Sequence, residues 1–209
     1  DRILSTPTDA PILYYKELGR ASHATVLGYL IHDKSAISRY SGEPNALKNA
    51  HLYSGGAIGA DTRWGEVAKE FGVQQTHYDT RDYDNLSQEK KAEVEQAYRK
   101  VLSLFSERNF FPASDYRGKL VRRDYLQAES ADAVFAISSI TNNKVDGGTG
   151  YAVHMAIDMG KPVHVFDYKQ GHWFTWDGSK FIPEDTPVLT PNFAGIGTRK
   201  MEKTFKQTS

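Results

Sequence analysis

Cysteine is missing from all 209 residues. That absence excludes disulfides, thiolate nucleophiles and cysteine-ligated metals together, and it fits a cytoplasmic protein. An excess of either charge is missing too, since 26 Lys and Arg balance 26 Asp and Glu. The totals give no broad basic face for duplex nucleic acid, and only a local patch stays open. No apolar run approaches the roughly 20 residues that span a bilayer, and no signal peptide is apparent, so no membrane partner is expected. Internal repeats and low-complexity linkers are absent. The seven histidines, His23, His32, His51, His77, His154, His164 and His172, show no metal-ligand spacing. Neither a metal nor a cofactor is expected.

What is present begins with Leu52-Tyr53-Ser54-Gly55-Gly56-Ala57-Ile58-Gly59-Ala60-Asp61. A short apolar run ends in Ser-Gly-Gly, and Trp64, Val67, Ala68 and Phe71 then recur at helical spacing up to Gly72, a C-cap residue. The reading is strand, glycine turn, helix. Such a turn exposes backbone N–H groups at the positive end of a helix, which suits an anion such as phosphate. No Gly-Lys-Ser/Thr follows, so this is not a Walker loop, nor is it a strict GxGxxG. A tight connector is the plainer alternative for this stretch taken alone.

A second unit of the same kind follows later. The run Asp132 to Ile137 reads as a buried parallel strand, Gly147-Gly148-Thr149-Gly150 as a turn, and Tyr151 to Met159 as a helix stopped by Gly160. Between the two units, Val73 to His77 is a strand and residues 79–85 a polar loop. Ser87 caps a helix whose stripe is Val94, Ala97, Tyr98, Val101, Leu102 and Phe105. An aromatic loop spans Asn109 to Arg117, and a further helix runs from about Lys119 to Ser130. Pro162 to Phe166 is a strand. Trp173 to Phe181 is a hairpin about Asp177-Gly178. Asn192 to Ile196 is a last strand, and Ala24 to Ile31 is a strand or short helix near the start. The sum is one domain over residues 1–209: an α/β fold with a doubly wound, mainly parallel Rossmann-like sheet flanked by helices.

In such a sheet both glycine turns lie at the carboxyl edge and face one crevice. The charged candidates near that edge are Asp61, Arg63, Arg81, Asp82, Arg122, Arg123, Asp124 and Arg199. The guanidinium of Arg123 suits phosphate or ribose oxygens, whereas Arg122 reads as a surface charge. His154, inside the turn-started helix, is either a proton donor or a packed ring, and His164, inside a strand, reads as packed. Ser54 reads as a turn and phosphate residue rather than a nucleophile.

In order and spacing, Ser54 to Asp61, then Arg123, then Ala131 to Ile137, then Gly147 to Gly150, then Gly160-Lys161-Pro162-Val163 resemble a known superfamily. It is the Rossmann-like nucleotide-binding group that includes the lonely-guy phosphoribohydrolases, DNA-processing protein A and the putative molybdenum-carrier proteins. The resemblance covers roughly residues 50–168. Phe193 to Arg199 resembles the opening strand and turn of many such proteins, here at the carboxyl end. A circular permutation is implied, with residues 192–199 adding a central strand beside Leu52 to Ser54.

The resemblance implies a nucleotide site made by Ser54, Gly55, Gly56, Ala57, Gly59, Asp61, Arg123, Gly147, Gly148, Thr149, Gly150, Gly197, Thr198 and Arg199. It also implies a homodimer. In the phosphoribohydrolases an arginine and a glutamate serve cleavage of the N-glycosidic bond of a nucleoside monophosphate. Arg123 matches that arginine, but His154 stands at the glutamate position and Tyr151 at the motif's threonine. A hydrolase would then rely on Arg123, with His154 or Asp61 carrying protons. The alternatives are a non-catalytic sensor or sequestering protein for a nucleotide signal, and a single-stranded DNA-binding protein using the tail residues Arg199, Lys200, Lys203 and Lys206. Nucleotide binding ranks first, and catalysis stays open.

Overall fold

A computed structural model describes residues 50–55, 64–65, 68–69, 73–185, 187 and 190–197. The expected element at Ala24 to Ile31, residues 56–63 of the first glycine turn and residues 198–209 of the tail lie outside the described residues.

Strand β1 (His51–Ser54) is followed by helical residues Trp64, Gly65, Ala68 and Lys69, then by β2 (Gln74–His77). Helix α1 (Gln88–Leu102) starts where Ser87 accepts a hydrogen bond from Lys90 N–H, satisfying one amide left bare by the first turn. Arg99 and Lys100 sit in its last turn, at the negative end of the helix dipole. Helix α2 (Tyr116–Ser130) begins three residues ahead of the expected Lys119, because the Asp115 side chain caps it by accepting from Arg117 N–H. Strand β3 (Ala133–Ser138) is buried at every position.

A small hairpin, β4 (Ile140–Thr141) and β5 (Lys144–Val145), then precedes helix α3 (Thr149–Asp158). The sequence reading had no hairpin here. Its turn is Asn142-Asn143, both at positive φ (51° and 63°), the backbone that a two-residue hairpin needs and asparagine tolerates. Gly160, at φ 75°, ends the α3 segment. Strands β6 (Val163–Asp167), β7 (His172–Trp176), β8 (Phe181–Glu184) and β9 (Asn192–Gly197) complete the chain.

Seven strands form one sheet in the order β2-β1-β9-β3-β6-β7-β8. The five from β2 to β6 are parallel, with His51 opposite both Gln74 and Asn192, and Val134 opposite both Ala194 and Val163. Strands β7 and β8 are antiparallel, so the sheet is mixed, with a short hairpin extending one edge. Helices α1, α2 and α3 bury their apolar residues on the face carrying Val134, Ala136, Val165, Ala194 and Ile196. The opposite face carries Phe135, Phe193 and Gly195, because successive strand residues point to opposite sides. There Trp64 packs against Phe193, and its indole N–H donates to Ile196 O at 3.1 Å. Helical residues therefore flank both faces. No helix among the described residues is long and apolar enough to cross a membrane.

Candidate functional site

Strand β9 lies between β1 and β3, so Ser54-Gly55, Gly197 and Ser138 end three neighbouring strands on one edge. The connection from β1 leads outward to β2, and that from β3 leads the other way to β6. Such a reversal opens a crevice at the carboxyl ends. At the usual strand spacing, the ends of β1 and β3 stand about 10 Å apart across β9.

At the first turn, Ser54 is fully buried and its carbonyl accepts from Tyr78 N–H at 2.8 Å. Gly55 faces helix α2. A β-carbon built on it would stand 2.5 Å from Arg123 Cζ and closer still to Gln127 Nε2. Arg123 and Gln127 are four residues apart, hence on one face of the helix. Arg123 is 8 % exposed and Gln127 is 1 % exposed. Both polar atoms of the Gln127 amide are buried with no hydrogen-bond partner among the described residues. Sequence reasoning singled out Gly55 and Arg123 but missed Gln127. The signal was its four-residue spacing from Arg123.

At the second turn, the chain between β5 and α3 is pinned by Asp146. Its carboxylate accepts from Ser139 Oγ at 2.6 Å and Thr141 Oγ1 at 2.8 Å, and its carbonyl accepts from Ser138 Oγ. Gly147 is at φ 71°, a backbone that favours glycine. Gly150 is held by space: a β-carbon there would fall on the Val145 carbonyl oxygen. Gly148 has neither constraint, with φ −62° and open space where a side chain would go. Thr149 N–H, in the first turn of α3, has no intrahelical acceptor.

The structure thus brings Ser54, Gly55, Arg123, Gly197 and the Gly147–Gly150 turn to one edge. It sets His154 among other groups. Its Nε2 accepts from Val145 N–H at 3.2 Å, and Phe105 and Phe181 present edge contacts to the ring. None of these belongs to the Gly55 cluster. Burial, then the charges of Arg108 and Lys144, hold its pKa down at about 4, so the ring is neutral. Gly56, Ala57, Gly59, Asp61, Arg63, Thr198 and Arg199 lie outside the described residues.

Arg122 is a correction. Rather than a surface charge it is 1 % exposed. It grips Glu95 through Nε and Nη2, donates to Phe111 O and Gly118 O at 2.9 Å each, and lies over the Tyr98 ring. The Glu95 carboxyl is held below its ordinary pKa, chiefly by that arginine. Arg81 is exposed and paired with Asp79, while Asp82 accepts from Asp79 N–H, so both shape the loop after β2. Among the described residues no group of three or more His, Cys, Asp or Glu side chains is placed to hold a metal ion. No family model, curated protein or solved structure matches the chain.

Proposed function

We propose that the crevice at the carboxyl ends of β1, β9 and β3 binds a nucleotide, or a small molecule derived from one, through its phosphate, on a doubly wound Rossmann-like scaffold. The observation that carries this reading is the buried group at the first turn. Gly55 has no side chain of its own, Arg123 lies against it, and Gln127 sits beside both with its amide unmatched. Leaving a buried polar group unpaired costs roughly 1–3 kcal/mol. A ligand that presents a donor and an acceptor, as a ribose hydroxyl does, recovers that loss. The guanidinium meets phosphate oxygens as a fork.

Binding without turnover is the favoured form. Glycosidic cleavage calls for a free carboxylate or a proton-donating acid near the sugar. Asp146 already accepts two hydroxyls, and the His154 ring is neutral and committed to Val145. Among the described residues, that chemistry supports a sensor or sequestering role.

Calorimetric titration with the four ribonucleoside 5′-monophosphates and their parent nucleosides tests the reading. At least one monophosphate is expected to bind saturably while its nucleoside does not. Arg123→Ala is expected to weaken binding roughly 10- to 100-fold, the loss of one charge-assisted contact. Failure of every monophosphate to bind a folded sample overturns the proposal. Steady release of free base restores the hydrolase.

A further inference from the structure

A concavity lies apart from the Gly55 cluster. The end of α1, the β4–β5 turn, the second half of α3 and Trp176 enclose a groove of about 420 Å³. Neither Arg123 nor Gln127 lines it. The volume falls in the range of small-molecule sites, roughly 300–1,000 Å³.

Three observations define what it would take. The first is apolar surface. Leu104, 44 % exposed and one of few large hydrophobic side chains left in solvent among the described residues, lies along the groove with Ile157 and Trp176. The second is a positioned donor. Val145 N–H donates to His154 Nε2, which makes Nε2 the acceptor nitrogen and leaves the ring hydrogen on Nδ1. His154 lines the groove, and among the described residues its one hydrogen bond runs through Nε2. The third is surplus positive charge. Lys100 is neutralised by Asp158, but Lys144, also lining the groove, has no ion-pair partner among the described residues. Lys144 Nζ and the His154 ring both lie within 6.0 Å of the Phe105 ring centre. One N–H donor and one ammonium therefore belong to residues lining the same groove, beside a longer apolar wall.

We propose that this groove binds a small apolar monocarboxylate. Its ring or chain lies on Leu104, Ile157 and Trp176, and its carboxylate sits between His154 Nδ1–H and the Lys144 ammonium. A singly charged head suits two donors. A phosphate dianion, more strongly hydrated, needs more donors than the groove supplies.

The test uses the full chain labelled with ¹⁵N and titrated with phenylacetate, 2-phenylethanol and phenyl phosphate. A ten-atom acid at ordinary ligand efficiency binds at about 1 mM. Phenylacetate is expected to give saturable shifts confined to residues 100–104, 142–144, 154–158 and 176, with the alcohol at least about fivefold weaker. Lys144→Gln, a partly exposed site that carries little of the core, is expected to erase most of that preference. His154→Gln, checked for a native spectrum, is expected to weaken the acid more than the alcohol. No saturable shift up to about 10 mM, equal binding of acid and alcohol, or tighter binding of phenyl phosphate overturns the proposal. So does an unchanged acid preference in Lys144→Gln.

Discussion

Gly55 is where a single methyl group separates folding from binding. A β-carbon there meets the Arg123 guanidinium at 2.5–2.6 Å and presses on the Gln127 amide. Both are ends of long side chains, so they yield, but they are buried and have little room. Gly55→Ala is therefore expected to cost about 1–3 kcal/mol in denaturant unfolding, and to reduce nucleotide affinity more than tenfold by displacing both side chains. Equal affinity in a destabilised variant would mean that the trio is packing alone. Arg122, one residue from Arg123, behaves in the opposite way. Arg122→Met strands the Phe111 carbonyl and breaks the Glu95 pair. A loss of about 3 kcal/mol is expected, read from chemical denaturation, with nucleotide affinity unchanged. The sequence misplaced Arg122 at the surface, because i and i+1 on a helix differ by about 100° of rotation and only packing tells which face meets Glu95. His154 supplies a pH signature. Unfolded, the ring titrates near 6.5, and folded at about 4. Above pH 6.5 both states are neutral and nothing changes. As pH falls from 6.5 towards 4 the unfolded chain takes up the proton and the folded one does not, so stability drops, by up to about 3 kcal/mol. Urea midpoints at pH 7, 5.5 and 4 are expected to fall more steeply for the native chain than for His154→Gln.

At the scale of elements, the second glycine turn divides into positions with different reasons. Gly147 serves a positive φ, and Gly150 lets α3 press onto β5, so each is explained by architecture. Gly148 is explained by neither. Gly150→Ala is expected to lower the thermal midpoint sharply, since the obstacle is the Val145 backbone and cannot swing away. Gly118→Ala is expected to do the same against the Pro112 carbonyl. Gly148→Ala is expected to stay within about 0.5 kcal/mol of the native chain. Any loss of nucleotide affinity in that variant then reports a ligand at the turn rather than a damaged helix. Melting curves of the three variants separate these cases. The elements themselves were largely legible, because apolar periodicity and caps are local: Ser87 starts α1, Gly160 ends α3, and Asp177-Gly178 turns β7 into β8. The β4–β5 hairpin was not, since strands of two residues carry no periodicity and the Asn142-Asn143 turn was the one available cue.

Across the whole molecule, the sheet is closed from the middle by its last strand. Within it, β1 pairs with β2 and β9, while β3 pairs with β9 and β6. The two halves share no ladder except through residues 192–197. Motif order suggested this placement, yet nothing in Asn192-Phe193-Ala194-Gly195-Ile196-Gly197 specifies its neighbours locally. The register comes from long-range fit, in which Gly195 leaves the space that Trp64 fills and Ile196 O accepts the indole N–H. A β-carbon on Gly195 would stand 2.7 Å from Trp64 Cγ, and a flat, fully buried ring hemmed in by Phe193 has nowhere to move. Gly195→Ala is therefore expected to lever the helix after β1 away from the sheet. Destabilisation of about 2–3 kcal/mol follows from overpacking of this kind. Ending the chain at residue 190 goes further. It removes β9, bares the inner ladders of both β1 and β3, and leaves two edges that pair with other chains. Circular dichroism of the shortened chain is expected to show no cooperative thermal transition, and light scattering is expected to show association. A sharp, reversible transition in that chain would mean that the halves pair directly and that β9 is an accessory strand.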